Sequence, residues 1–552
     1  MKPQEKVPRL RKLFQTDFER IDEWFGRKLF HRDVSEIAVY LAVLCYAIVF
    51  SYFTILKYQS YNAYAWDLGI FNQSLWTTTH AGKFLFSNVE LFVNPTGVFF
   101  GIHFSPILLL VLPFYSIYSS PLTLLVFQSS ILALGAVPLY FFAKRVLNVR
   151  TVAVVFSLVY LLYPPLHGIN WFDFHVQAFL PLFFFCTIYF LSKESWPKYF
   201  FFLILSLMAA ENVPILVVFI GIYCFWLYRE QFADVIRKRT ISDRNVLIPP
   251  LTIILGIFWW ALALWIQQEY FPINPAYSQL YKAVDNWSVL GIKDDPITLP
   301  LYVVFNIARG AQAFSYDILV KLLYVFLLFG PLLFLSFRSA VTTVTLAWFV
   351  PVFFSNYPSY YTIGGHFPAY VIAFIFLGAV YGLKKSVKPR RFRSLKSYTK
   401  GLLLAGLLFT AFASPLSPLM TVINNAALFP DYRPPVMTEH DRMLQTIVDM
   451  VPRNASVLTQ NSIFPHLSDR VNSYAYPVEL ILDRAPHDPM DQYLNETVRK
   501  SDLILVDAAT DPSSSAIISK AESLGVYGVY ASADGIILLK KDFRGDPVFH
   551  VP

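Results

Sequence analysis

Carboxylate and imidazole side chains at the ends of apolar runs are the residues of this sequence that could do chemistry. Asp67 directly follows the first apolar run, while His175 (in WFDFH) and His366 (in GGHFPAY) border later ones. Glu211, in MAAENVPILVV, separates two further apolar runs. Such groups transfer protons or bind a divalent metal ion. Their spacing contains no metal signature of the HExxH kind, so the sequence leaves both chemistries open.

Each acidic residue also has a structural interpretation. Asp67 could cap the N-terminus of a helix, with Trp66 as an anchor at a membrane interface. Glu211 could cap the end of a helical hairpin, and Pro214 at the start of the next apolar run supports such a turn.

The histidines favour a functional interpretation. The apolar region beyond the first run contains five of the ten, and we interpret two of them, His80 and His167, as structural. The other three, His103, His175 and His366, each lie at the end of a predicted membrane span. We therefore expect them to converge on one site.

The composition indicates what must position these residues. The chain has 552 residues, of which 56% are hydrophobic, 17% aromatic and only 15% charged. A soluble domain carries about 25% charged residues, so an ordinary cytosolic protein is excluded, and the aromatic content excludes disorder, collagen and a coiled coil. All three cysteines lie in apolar runs, which argues against a disulfide framework or a thiolate metal site. The sequence predicts a polytopic membrane protein.

A helix needs about 20 mostly apolar residues to cross a bilayer. By this criterion we predict eleven transmembrane helices. They lie near 35–56, 121–142, 150–165, 176–192, 198–210, 213–228, 246–267, 316–336, 339–355, 367–383 and 401–423. The first 33 residues are too polar for a signal peptide, so we expect a basic, amphipathic cytoplasmic segment over 1–34.

Basic residues predict the orientation, because cytoplasmic loops are enriched in Lys and Arg. With the N-terminus inside, the basic loops all fall on the cytoplasmic side, and 384–400 alone has eight Lys and Arg and no acid. We interpret that loop as a topology determinant attracted to the lipid bilayer rather than to nucleic acid. Eleven spans then place the C-terminal region, and every candidate residue above, outside a plasma membrane.

The first outer loop, 57–120, follows the first span. The apolar faces of 67–76 and 104–118 predict helices that lie in the membrane interface instead of crossing it. A crossing at 104–118 would also place the basic loop 143–150 outside.

The C-terminal region, 424–552, is predicted to be a soluble extracytoplasmic α/β domain, separate from the transmembrane domain 35–423. Residues 430–552 have a net charge of −6. We predict helices over 438–451 and 513–524, strands over 456–460 and 503–507, and a hairpin that turns at Asp534-Gly535. Strands that alternate with helices favour a small doubly wound sheet. Because no glycine-rich phosphate loop is present, we interpret the domain as a binding or scaffolding module.

Several segments together resemble a known family. They are AWDLGIFNQSLW, HFSPILLLVLP, ALGAVPLYFFAKRVL and, in the C-terminal region, ASVLTQNSIFPHLSDR, YAYP and SDLILVD. The chain resembles, over about residues 35–510, the prokaryotic membrane proteins known as domain of unknown function 2079. That family is in turn similar to the GT-C class of glycosyltransferases.

The resemblance implies a GT-C-like transmembrane domain that transfers a hexose from a polyprenyl-phosphate donor to a glycan, lipid or protein acceptor. It implies that Asp67 is the general base, and we expect Glu211 and His366 to be the other catalytic residues. The leaving phosphate needs a cation. Arg309 is our first candidate, with Lys282 and His366 as alternatives, and an arginine anchored at the interface is its structural interpretation.

One departure from the GT-C pattern leaves metal dependence open, because NWFDFH replaces the acid pair usual in the second outer loop. If Mg²⁺ or Mn²⁺ is bound, the expected ligands are Asp67, Asp173 and His175. The predicted substrate contacts are His103, Asp173, His175, Arg309, Trp66 and Tyr361.

Two other functions stay open. A transporter or flippase of lipid-linked sugars predicts broken helices, charges near the bilayer midplane and internal repeats, none of which we find in the sequence. A non-catalytic protein with an outer binding domain predicts that replacing Asp67 is harmless.

Overall fold

The structure is a computed structural model. It describes residues 34–89, 91, 93–238, 243–273, 286–291, 299–387, 392–419, 432, 435–476, 487–511 and 514–551. The predicted cytoplasmic segment before Val34, the alternative cation Lys282 and most of the link between the two predicted domains lie outside these residues.

The chain is mostly helical, with a small sheet near the C-terminus. The helices before the sheet are α1 Val34–Gln59, α2 Ile70–Ala81, α3 Leu108–Tyr115, α4 Pro121–Leu134, α5 Ala136–Leu147, α6 Arg150–Leu161, α7 Pro164–Trp171, α8 Leu180–Ser192, α9 Trp196–Leu207, α10 Val213–Leu227, α11 Arg229–Lys238, α12 Ile248–Tyr270, α13 Leu299–Phe305, α14 Ile307–Ser315, α15 Ile318–Phe329, α16 Leu346–Phe354, α17 Ile372–Ser386 and α18 Phe392–Ala413. Short 3₁₀ turns include Phe99–Gly101, Val176–Phe179, Arg244–Leu247, Ser288–Leu290, Gly330–Leu332, Leu335–Arg338, Ala340–Thr345, Pro358–Tyr361 and Phe367–Tyr370, and Ala65–Gly69 is a π-helix.

The predicted count of eleven spans is not confirmed. Within the described residues, three helical segments are long and apolar enough to cross a membrane, namely Val34–Gln59, Pro121–Leu147 and Arg244–Tyr270. The number rises to six if each of three bent helix pairs forms one span. Three further predicted spans contain apolar helices of only 10–17 residues, namely Val176–Ser192, Trp196–Leu207 and Ala340–Phe354. Helix α18, at the predicted span 401–423, has 22 residues but begins with the polar stretch FRSLKSYTK.

Exposed apolar side chains on α1 fit a lipid environment. Leu41, Leu44 and Ile48 are each more than half exposed, whereas Val39 and Phe50 on the same helix are buried. An apolar face of this size is unusual in water.

Ion pairs at its two ends orient α1. Glu36 in its first turn pairs with Lys144 at 2.7 Å, and Lys57 in its last turn pairs with Asp173 at 2.9 Å. At 1.5 Å per residue, a helix of 26 residues is about 39 Å long. The basic end of α5 and the acidic loop at Asp173 therefore lie at opposite ends of this helix, as the charge pattern predicts. Which end faces the cytoplasm stays a prediction.

The segment after α1 differs in part from the prediction of two interfacial helices. Helix α3 is too short to cross a bilayer and exposes Leu109, Leu110 and Phe114, as expected for an interfacial helix. In contrast, α2 has buried polar residues, Asn72 and Gln73 among them, because the C-terminal region covers it.

The C-terminal region forms a six-stranded mixed sheet in the order β2-β1-β3-β5-β4-β6. The strands are β1 Val457–Thr459, β2 Ser473–Ala475, β3 Leu503–Asp507, β4 Tyr527–Ala533, β5 Ile536–Lys541 and β6 Phe549–Val551, and the helices are α19 Glu439–Val448, α20 Phe464–Leu467, α21 His487–Lys500 and α22 Ser514–Leu524. The predicted strands at β1 and β3 and the hairpin at Asp534-Gly535 are confirmed. The doubly wound prediction fits only the parallel half, because β5 pairs with β3 in antiparallel fashion.

Helices cover both faces of this sheet. Leu444 and Ile447 of α19 pack on one face, and Leu494 of α21 with Ile517 of α22 pack on the other. Successive side chains of β3 point to opposite faces of the sheet, so Leu505 packs with the α19 layer and Ile504 with the layer of α21 and α22.

The sheet domain is hydrogen-bonded to the segment that follows α1. Asn72 Nδ2 donates to Ser468 Oγ at 2.8 Å, and Gln73 Nε2 donates to the carbonyls of Arg470 and Ser473, both at 3.1 Å. The C-terminal domain and the 65–81 segment therefore share one side of the molecule.

His440 joins α19 to the sheet and makes the stability of this domain depend on pH. Its Nε2 lies 2.8 Å from Asp507 Oδ2, and its Nδ1 lies 2.8 Å from Asp534 Oδ2. Burial lowers the pKa of His440, but the hydrogen bonds to Asp507 and Asp534 outweigh burial and raise that pKa above its ordinary value. Because the pKa of His440 is higher in the folded than in the unfolded domain, the charged His440 stabilises the fold. This stabilisation is complete below the unfolded pKa of about 6.5 and is lost as the pH rises through the folded pKa.

We therefore expect the C-terminal domain of the full chain to open more readily at about pH 8.5 than at about pH 6, with His440→Gln removing most of this difference. Hydrogen exchange of β3 and the β4–β5 hairpin, corrected for intrinsic rates, measures it. His80→Gln, at an exposed histidine that stacks on Trp76, is the matched control. Equal pH dependence in the wild type and His440→Gln would show that the pair of aspartates does not hold His440 charged.

Candidate functional site

Three of the predicted residues come together at the end of α1 that carries Lys57. His175 Nε2 lies 3.1 Å from Asp67 Oδ1, and the His175 ring stacks on that of His366, with centroids 4.1 Å apart and planes inclined by 8°. The Asp67 side chain is 20% exposed and that of His175 only 10%. The group is therefore largely shielded, with its carboxylate at the edge.

Local structure places each member of this group. Asp67 lies in the π-helix Ala65–Gly69, a form frequent at functional sites. The backbone N–H of His175 donates to Gln128 Oε1 of α4 at 2.7 Å. The loop before His366 packs tightly on α7, since a Cβ at Gly168 would lie 1.8 Å from the carbonyl oxygen of Ile363. Only glycine fits at that position.

A second carboxylate and imidazole pair adjoins the first. His103 Nδ1 lies 2.9 Å from Glu211 Oε1, and the carboxylate is the acceptor, so this nitrogen carries a proton. His103 and His175 both act electrostatically on His366. Glu211 likewise acts on Tyr370, in the 3₁₀ turn after His366. Asp67, His175 and His366 are therefore in direct contact, and the His103–Glu211 pair lies close enough to act on His366 and Tyr370.

His366 is neutral at physiological pH. Burial, and then the neighbouring His175 and His103, hold its pKa well below the ordinary value. A neutral imidazole donates at one ring nitrogen and accepts at the other, so His366 offers a hydrogen bond without charge.

Asp173, predicted to bind substrate, lies in a buried ion pair. Its Oδ1 accepts from Lys57 Nζ and its Oδ2 from the backbone N–H of Tyr64, both at 2.9 Å, and the side chains of Asp173 and Lys57 are 4% and 6% exposed. This arrangement joins the end of α1 to the turn before His175 and to the residue before the π-helix. It positions both Asp67 and His175.

The donor set does not fit the metal site that the sequence left open. Of the expected ligands, Asp173 has both oxygens engaged and Asp67 Oδ1 faces a ring nitrogen. Among the residues that the structure describes, no group of three or more His, Cys, Asp or Glu side chains is placed to hold a metal ion.

Two predicted substrate contacts, Arg309 and Tyr361, lie elsewhere. Arg309 donates to the Tyr302 hydroxyl at 3.2 Å and to the Leu290 carbonyl at 3.5 Å, and no described contact joins it to His175 or His366. Tyr361 is buried. Its hydroxyl donates to Asp317 at 2.9 Å, so its ring supports the loop to His366 rather than offering a face to a ligand.

Trp66 is half-buried against the apolar cluster that contains Phe71 and Phe174. The histidines interpreted as structural are consistent with that interpretation. His167 is buried, with ring nitrogens 2.9 Å from Ser414 Oγ and 2.7 Å from the Leu161 carbonyl. His80 is exposed beside Thr79.

Sequence reasoning missed two buried lysines. Lys57 in α1 and Lys321 in α15 are charged residues inside apolar runs, and this rarity in itself signals a functional or structural role. Lys321 Nζ donates to the carbonyls of Ala313 and Phe353, near the C-terminal ends of α14 and α16, where a cation is favourable. It stabilises the junction of three helix ends beside Tyr361.

The C-terminal domain contacts the π-helix directly. The Ala65 N–H is 3.0 Å from the backbone oxygen of Asn461 and 2.9 Å from its Oδ1. A Cβ on Gly69 would lie 2.6 Å from the ring of Phe464. The ring of His466 stacks on Tyr58, with centroids 4.1 Å apart, and burial lowers its pKa to about 3. These contacts hold the π-helix that carries Asp67, and no local sequence pattern predicts them.

The comparison with known families identifies the family of the chain. Residues 57–538 match the family described as predicted membrane protein (DUF2079), and the chain belongs to that family. The match covers Asp67, the histidine cluster and most of the C-terminal domain. No curated protein matches the chain.

The Lys57–Asp173 pair generates a stability prediction. Breaking a buried pair leaves one charge uncompensated and costs about 3–5 kcal/mol. We expect Lys57→Met to lower the thermal unfolding midpoint of the detergent-solubilised chain strongly, and Lys57→Met with Asp173→Leu to recover much of the loss.

Lys144→Met is the matched control, because its pair with Glu36 is 31% exposed on both sides. Such a pair contributes about 1 kcal/mol or less. If Lys57→Met and Lys144→Met lower the unfolding midpoint equally, the buried Lys57–Asp173 pair stabilises the fold no more than an exposed pair does.

Proposed function

We propose that this member of the DUF2079 family is a membrane glycosyltransferase of the GT-C kind, which transfers a hexose from a polyprenyl-phosphate donor to an acceptor on the extracytoplasmic face. The observation that carries the proposal is the pairing of Asp67 with His175, whose Nδ1 is buried and has no hydrogen-bond partner within the described part of the chain. The family match itself supports a membrane protein.

Asp67 and His175 are suited to act as a general base in which the Asp67 carboxylate determines which ring nitrogen of His175 carries the proton. A carboxylate beside Nε2 favours a proton on that nitrogen and leaves the lone pair on Nδ1. The same division of roles operates where an aspartate orients a catalytic histidine. Asp67 then stabilises the imidazolium that forms, and the base is His175 rather than Asp67 alone.

The proposed step balances without a further reactant. The acceptor hydroxyl gives its proton to His175 Nδ1, and its oxygen forms a bond to the anomeric carbon. The bond between that carbon and the phosphate oxygen breaks, and the polyprenyl phosphate leaves with the electron pair. Attack opposite to the leaving group inverts the configuration.

The apolar surroundings support a lipid-borne donor. Helix α3 exposes Leu109, Leu110 and Phe114, and the backbone N–H of Ile107, just before it, donates to the Met208 carbonyl at 3.0 Å. Met208 is close in sequence to Glu211, so an apolar surface adjoins the polar cluster. Arg309 stays a candidate for the leaving phosphate, although its described contacts are not with this cluster.

A specific observation favours one other function. The three bent helix pairs are interruptions of the kind found in transporters, and the sequence did not reveal them. Together with the buried Lys321, they support a flippase of lipid-linked sugars as the second candidate.

The decisive comparison is between a knockout strain and strains that carry Asp67→Asn or His175→Gln. A general base contributes about 10²–10⁴-fold to rate, so we expect both variants to lose a specific surface glycan or glycolipid as the knockout does. Asp234→Asn, at an exposed aspartate of α11, is the control and should keep it. Normal glycans in Asp67→Asn at unchanged protein level would refute catalysis.

The detergent-solubilised protein separates the two candidates. Transfer of sugar from a polyprenyl-phosphate donor in detergent requires an enzyme and no membrane, whereas a flippase shows no product there. Product that disappears with His175→Gln supports the transferase. Glycan loss in cells without product in detergent supports the flippase.

A further inference from the structure

Four polar atoms of the candidate site are buried without a hydrogen-bond partner among the described residues. They are His175 Nδ1, His366 Nδ1, Glu211 Oε2 and Gln177 Oε1. A buried polar atom left unpaired costs free energy and is rare in a folded protein. Several in one place indicate that a ligand completes the set.

The four atoms belong to one connected cluster. His175 stacks on His366, and His366 lies within the electrostatic influence of His103, the partner of Glu211. Gln177 follows His175 by two residues, and both Gln177 and Glu211 act on Tyr370.

These atoms are hydrogen-bond acceptors, so the ligand that suits them is one that donates hydrogen bonds. The oxygens of Glu211 and Gln177 can only accept, and Asp67 beside Nε2 makes Nδ1 of His175 an acceptor as well. His366, being neutral, adapts to either role. Phosphate has acceptor oxygens and negative charge, so it is a poor occupant next to Glu211. A metal ion lacks its minimum set of ligands within the described residues.

An aromatic surface borders the cluster. The Phe172 ring lies 5.2 Å from that of His175 and 5.4 Å from that of His366, and Phe71 meets His175 edge-on at 5.6 Å. Hydroxyl donors on one side and an apolar C–H face on the other are the features of a pyranose ring.

We propose that this cluster is the acceptor subsite and that the acceptor is a carbohydrate, bound through neighbouring hydroxyl groups. One hydroxyl donates to His175 Nδ1 and is the nucleophile. Others donate to Glu211 Oε2 and Gln177 Oε1, and His366 pairs with a further one. The proposal rests on the proposed function and narrows its acceptor from glycan, lipid or protein to a sugar hydroxyl.

Binding of simple hexosides to the full chain in detergent tests the subsite without transfer. The probes are methyl α-D-mannopyranoside, its fully O-methylated form, inorganic phosphate and ethanolamine, followed by saturation-transfer NMR and by the thermal unfolding midpoint. We expect saturable binding of the hexoside alone, because O-methylation removes every donor. Equal binding of the O-methylated form, or preferential binding of phosphate or ethanolamine, overturns the proposal.

Two variants locate the binding. Gln177→Met removes one acceptor, and His366→Phe removes another while it keeps the stacked ring. Each should weaken hexoside binding about tenfold, the effect of one lost hydrogen bond. His80→Phe, at an exposed histidine outside the cluster, is the control and should bind normally. If His366→Phe does not fold, Gln177→Met gives the same test, and wild-type affinity in Gln177→Met contradicts the subsite.

The subsite and the proposed function fail separately. Hexoside binding that Gln177→Met weakens, in a protein that transfers no sugar, supports a carbohydrate site at this cluster but refutes the transferase and, with it, the acceptor role. Transfer to a lipid or protein acceptor without hexoside binding refutes the subsite and leaves the transferase intact.

Discussion

The buried ion pair between Lys57 and Asp173 is the interaction on which the rest of the site depends. It lies at the end of a helix that is long enough to span a bilayer. Asp173 of the pair also accepts the N–H of Tyr64, the residue before the π-helix of Asp67. Two charges removed from water require one another, because either alone would be strongly unfavourable there. The pair therefore fixes the path of two chain segments, and the contact between Asp67 and His175 follows from that constraint.

The C-terminal domain is part of this arrangement rather than an appendage. Asn461 and Phe464 contact the π-helix, and Asn72 and Gln73 are buried under the same domain. From the sequence we interpreted this domain as a binding or scaffolding module. Its contacts favour scaffolding, because the domain holds elements of the candidate site in place. A polar helix such as α2 would be costly to bury without these partners.

Much of this anatomy is predictable from the sequence, and the limits have physical causes. Apolar runs located many of the helices, and strand-like patterns located β1, β3 and the hairpin at Asp534-Gly535. The charge pattern predicted that Asp67, Glu211 and His366 lie at the same end of the helices. The count of eleven spans is not confirmed, because several of the predicted apolar runs contain only short helices. Lys57, Gln128 and Asn461 were missed because their roles arise from partners at least 45 residues away.

We propose that Asp67 and His175 act as one base, and a double-mutant cycle on sugar transfer in detergent measures whether they do. Residues that work as a unit are not additive. We expect Asp67→Asn and His175→Gln each to reduce the rate by about 100-fold or more, and the double variant to be no slower than the worse single one. Losses that multiply, or a His175→Gln variant with full activity, would contradict it.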